Sequence, residues 1–129
     1  MVRHIDLLAR LQKIWGGLAL VAGAAVLILA LGALGVILTA PPDSPQVGMA
    51  AGFATAAFFL FAFGAFAWGG VHIHDGIGLR GRKAWARPVA LVLAVLNLFF
   101  LPFGTALAAY AFWVLLSDET RRAFAPPSR

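Results

Sequence analysis

The chain has 129 residues, 62% of them hydrophobic and only 12% charged, with a formal net charge of +5 and no cysteine. An average soluble domain is about 45–50% apolar and about 25% charged. Ten basic and five acidic residues are too few to cover the surface of a domain this size with charge, so a purely water-soluble fold is excluded. The lack of cysteine removes disulfides, thiolate metal sites and cysteine nucleophiles.

Taken in chain order, residues 2–14 place Ile5, Leu8 and Leu11 at near-helical spacing ahead of Trp15, which predicts a short interfacial N-terminal helix. No charge occurs over residues 14–42. Crossing a hydrocarbon core of about 30 Å takes roughly 20 helical residues, so this stretch predicts a first membrane helix over residues 15–39, closed by Ala40-Pro41-Pro42. The apolar run exceeds the roughly 7–15 residues of a leader peptide and lacks a small-x-small cleavage pattern, so it reads as a retained helix. After Asp43-Ser44-Pro45, a second helix is predicted over 47–71.

Residues 88–117 again carry no charge, but Leu101-Pro102-Phe103-Gly104 interrupts them. Proline and glycine two residues apart break a helical ladder. With Pro102 and Gly104 as the turn, the stretch predicts helices over 83–101 and 104–120 joined as an antiparallel hairpin. Both are short for a full crossing, which leaves a half-membrane re-entrant hairpin as the alternative. The expected fold is therefore all-α: one integral membrane domain over 1–129, a four-transmembrane-helix bundle with the N-terminus in and the C-terminus in.

Charge supports that orientation. Arg3, Arg10 and Lys13 precede the first helix, Arg80, Arg82, Lys83 and Arg87 lie between the second and third, and Arg121, Arg122 and Arg129 end the chain. All ten cations fall on one side, which the positive-inside rule assigns to the cytoplasm. Topology thus accounts for the net charge, and no nucleic-acid partner is expected. The loop Arg80, Arg82, Lys83 and Arg87 suits anionic lipid headgroups. Trp15, Trp68, Trp85 and Trp113 each fall near the cytoplasmic end of a different predicted helix, as membrane anchors do.

In lipid, helices associate through close backbone contact and a few buried polar groups. Gly16, Ala19 and Gly23 supply small residues in the first helix and Gly48, Gly52 and Ala56 in the second. Asn97 and Thr105 are the expected polar packing contacts, with Asn97 bonding across to Thr105 or Tyr110.

Little in the chain resembles a reaction centre. His72-x-His74-Asp75 carries metal-ligating residue types. Two histidines two apart serve one ion only on extended chain, however, and Asp75 is expected to pair at the surface with Arg80 or Arg82. No metal, cofactor or catalytic residue is assigned. Gly76-x-Gly78-x-x-Gly81 matches the dinucleotide-binding spacing, but its flanks are a membrane helix and a basic loop instead of a strand and a helix N-terminus. No ionisable group lies in the predicted membrane core, which argues against coupled transport.

The segments Trp85-Ala86-Arg87, Asn97-Leu98-Phe99, Pro102-x-Gly104-Thr105-Ala106-Leu107-x-x-Tyr110 and Trp113-x-Leu115-Leu116 resemble a group of uncharacterised small bacterial four-helix integral membrane proteins with no known activity. The resemblance covers residues 76–124 and implies a bacterial inner-membrane location. The expected function is non-enzymatic: an accessory or structural subunit that binds other membrane proteins or forms a homo-oligomer within the lipid bilayer. The alternative is a homo-oligomeric channel or facilitator using Asn97, Thr105 and the phenylalanines.

Overall fold

A computed structural model of the chain describes residues 2–39 and 45–125, most of them helical, with no strand among them. Five helices follow in order: α1 Val2–Thr39, α2 Pro45–Arg80, α3 Ala86–Asn97, α4 Phe103–Leu115 and α5 Asp118–Ala123. The turn assigned to Ala40-Pro41-Pro42 and Asp43-Ser44, and Arg129, lie outside the described residues. Two helices, α1 and α2, are long and apolar enough to cross a membrane.

The helix bounds differ from the sequence-based expectation in four places. The interfacial helix and the first membrane helix are one unbroken α1, because nothing between Val2 and Trp15 interrupts the hydrogen-bond ladder. The second helix does not stop at residue 71 but runs to Arg80; polar residues leave a hydrophobic run without breaking a helix. The third and fourth helices have only 12 and 13 residues, since turns begin at Leu98, well before Pro102. Finally, Ser117 ends the fourth helix early by capping a separate α5. Its hydroxyl accepts from the Thr120 N–H at 3.3 Å, with Asp118 and Glu119 in the first turn and Arg121 and Arg122 in the last, a favourable match to the helix dipole.

The chain divides into two compact units, Gly17–Gly70 and Met1–Gly16 with Val71–Arg129. In the first, α1 and α2 meet along a seam of small residues. Gly23 and Ala30 are buried on α1, and Thr55, Ala62 and Gly69 on α2, a seven-residue spacing that keeps one face of each helix turned to the other. Gly23 is required there, because a Cβ on it would lie 3.1 Å from the Ala65 methyl and 3.2 Å from the Ala62 carbonyl oxygen. Gly48 and Gly52 face open space. The remaining faces, with Val21, Ile28, Phe53, Leu60 and Phe61, are exposed.

The second unit contains every lysine and arginine of the chain. Its core joins Ile5, Leu8 and Ala9 of α1, Leu79 of α2, Ala86, Ala90 and Ala94 of α3, and Leu107, Ala108, Ala111, Val114 and Leu115 of α4. The α1 residues recur at the i, i+3, i+4 spacing of an amphipathic helix. Alanines on facing sides let α3 and α4 pack closely. Their turn needs Gly104, whose Cβ would come within 2.6 Å of the Asn97 carbonyl oxygen. Arg87 closes the other end, donating from Nε to the Leu115 carbonyl at 3.0 Å.

The end of α2 explains the glycine pattern. Lys83 N–H bonds the Gly78 carbonyl and Arg82 N–H the Leu79 carbonyl, with Arg82 at φ 51°. This is a Schellman C-cap with arginine at the left-handed position usually held by glycine. Gly76 lets α1 approach, since a Cβ there would lie 2.7 Å from the Ala9 carbonyl oxygen, and Gly78 seats the Trp85 indole, 2.5 Å from where its Cβ would be. The first two glycines therefore serve helix packing.

Candidate functional site

Two side chains of the charged unit, Trp15 and His72, converge on Asn97, the last residue of α3. Its Oδ1 accepts from the Trp15 indole N–H at 3.2 Å. Its Nδ2 lies 3.1 Å from His72 Nε2. An amide nitrogen only donates, so His72 accepts at Nε2 and carries its ring proton on Nδ1. Asn97 and His72 are fully buried. One amide thus ties α3 to α1 and α2 together. The expected partners of Asn97 are corrected: Thr105 donates instead to the Leu98 carbonyl at 3.1 Å, and the Tyr110 hydroxyl is 3.1 Å from His4 Nδ1.

Extension of α2 through residues 72–80 decides the arrangement of the histidine motif. His72 and Asp75 are three apart and share the buried face, whereas His74 lies on the exposed one. The His74 ring stacks on Trp85, with centroids 4.7 Å apart and planes 15° off parallel. Among the described residues no group of three histidine, cysteine, aspartate or glutamate side chains is placed to hold a metal ion. Asp75 is not a surface ion-pair member as expected. It is fully buried, and Arg82 instead pairs with Asp6 at 3.1 Å. Neither Asp75 carboxyl oxygen has a hydrogen-bond partner among the described residues, and the same holds for both amide atoms of the fully buried Gln12. The Gln12 Cβ is 3.4 Å from the site of a Cβ on Gly76, next in the chain to Asp75. Sequence reasoning missed Gln12; its place on the Ile5, Leu8, Gln12 stripe was the available signal.

The predicted anchors are placed differently from one another. Trp15 is half-buried by its bond to Asn97, Trp68 is half-buried in α2, and Trp85 and Trp113 are exposed. Trp113 meets His4 edge-on at 5.1 Å. In the basic loop, Arg82 and Arg87 bond to protein oxygens, while Arg80 and Lys83 are exposed.

Chemically this cluster binds helices together. Asn97 satisfies two neighbours, and His72, Asp75 and Gln12 are closed off from solvent. The chain matches no protein-family model, no curated protein and no solved structure.

Proposed function

We propose that the protein is a multi-pass protein of the bacterial inner membrane, both termini cytoplasmic, acting as an accessory or structural subunit that binds other membrane proteins or a second copy of itself. The observation that carries this reading is the α1–α2 pair, which uses one small-residue seam internally and leaves its other apolar faces uncovered. Such faces suit lipid and partner helices. Between residues 17 and 70 the only charged residue is Asp43, so the charge-free lengths of α1 and α2 within that stretch offer no ionisable group for coupled transport. The cations gathered in the other unit favour a cytoplasmic location for it. An even number of crossings, two or four, leaves both termini on that side.

Gly48 and Gly52 add support, because their open surface on α2 admits a close-packed partner helix. Arg80 and Lys83 are free to meet anionic headgroups, at roughly 1 kcal/mol for each cation near the surface. The channel reading loses ground, since Asn97 and Thr105 both spend their polar atoms within the chain. Purification of the native protein in mild detergent tests the proposal. Other membrane subunits should co-purify, and Gly52→Leu should release them while leaving the fold intact. Recovery as a lone monomer sinks the proposal, and flux through liposomes abolished by Asn97→Leu would replace it with the channel.

A further inference from the structure

The α3–α4 hairpin has an apolar tip, a charged base and too little length to cross a bilayer. At 1.5 Å per residue, helices of 12 and 13 residues extend about 18 and 20 Å, against a hydrocarbon core of about 30 Å. Its turn reads Leu98-Phe99-Phe100-Leu101-Pro102-Phe103 without a polar side chain, and Phe99, Leu101 and Phe103 are 81%, 79% and 73% exposed. The outer face of α3 adds exposed Val92, Val95 and Leu96. At the base stand Arg80, Arg82, Lys83 and Arg87 on one side and Arg121 and Arg122 on the other.

Side-chain pairing fixes the depth of the hairpin. Tyr110 meets His4, Trp113 packs on His4, Arg82 pairs with Asp6, and Asn97 bonds Trp15. The hairpin therefore runs beside the first fifteen residues of α1, which carry Arg3, Asp6, Arg10 and Lys13. Charged side chains are strongly disfavoured at the centre of a bilayer, and each one placed there adds to the penalty. Four of them cannot lie at the depth of a spanning hairpin, so this stretch of α1 belongs at or below the headgroups, and its neighbours α3 and α4 with it.

We propose that α3–α4 is an interfacial wedge: the Leu98–Phe103 turn enters the acyl region of the cytoplasmic leaflet and returns, and the hairpin does not cross the membrane. The occupant of its apolar surface is the lipid bilayer. Trp15, at the level of Asn97 near the tip, then marks the headgroup boundary where the charge-free part of α1 begins. In this arrangement the chain crosses the membrane twice.

The inference rests on the membrane location proposed above, and the test separates the two. The natural chain has no cysteine, so Leu101→Cys and Leu38→Cys provide single reporters at exposed positions where the substitution leaves packing intact. Each variant is reconstituted into phosphatidylethanolamine–phosphatidylglycerol vesicles of known orientation and treated with an impermeant maleimide from either side. A fluorophore on residue 101 is also read for quenching by lipids brominated along the acyl chain. Residue 38 should label only from the face opposite the termini. Residue 101 should label from neither face, and its fluorophore should be quenched at least twofold by the brominated lipids. Labelling of residue 101 from the face of residue 38 would overturn the wedge in favour of two further spans. Labelling from the face of the termini, without lipid quenching, would overturn it in favour of a hairpin free in water. If residue 38 labels equally from both faces while residue 101 remains lipid-quenched, the crossing of α1 fails and the wedge stands.

Discussion

Replacing Asn97 by leucine tests whether one amide holds the charged unit together. Leucine keeps a similar bulk but removes the acceptor of the Trp15 indole and the donor to His72. Trp15 is half-buried, so its N–H regains water in part, and that loss is about 0.5–1 kcal/mol. His72 is fully buried, where a missing bond costs about 1–2 kcal/mol. The sum is about 2 kcal/mol, offset in part by the apolar side chain. Bonds between membrane helices average nearer 0.6 kcal/mol, so about 1 kcal/mol is the lower bound. Reversible unfolding in mixed micelles, followed by tryptophan emission, measures it. A cycle with Trp15→Phe isolates the indole bond, with an expected coupling of about 0.5–1 kcal/mol. Unchanged or increased stability of Asn97→Leu, or no coupling with Trp15→Phe, would refute the reasoning.

Gly76→Ala should destabilise by about 1–3 kcal/mol, because its methyl meets a backbone carbonyl that cannot rotate away; Gly48→Ala, in open space, should be neutral or stabilising by up to about 1 kcal/mol, and the same micelle unfolding compares them. Gln12→Leu should raise stability by about 1–2 kcal/mol, since the buried amide has no partner to lose; a loss of stability in thermal denaturation would mean that the amide is satisfied. Ser117→Ala should cost about 1 kcal/mol by removing the α5 cap, seen as faster amide exchange confined to Asp118–Ala123.

Much of the architecture was legible because it rests on free energies that add along the chain. The apolar runs behind α1 and α2, the segregation of ten cations and the helix break near Pro102 required no knowledge of neighbours. Gly23 was also identifiable as a packing residue, although a Cβ on Gly48 or Gly52, with the same residue type, would meet nothing within 4 Å among the described residues. The Ser117-Asp118-Glu119 cap was readable but overlooked within a stretch judged by hydropathy alone.

The candidate site was less legible, for a reason visible in residues 72–80. Hydropathy falls at His72, yet backbone hydrogen bonding does not, so α2 continues and turns His72 and Asp75 inward and His74 outward. Asn97 stood out in the sequence as an amide in an apolar stretch; that it would choose Trp15 and His72 over Thr105 and Tyr110 depended on which helices meet at that level. The sequence by itself determined an all-helical chain with two long apolar helices and its lysines and arginines confined outside residues 17–70, because transfer free energy and helix propensity are local. The tertiary structure alone decided how short α3 and α4 are, which polar groups are buried, and that Asn97 ties Trp15 to His72, because hydrogen bonds and close packing require partners distant in the chain.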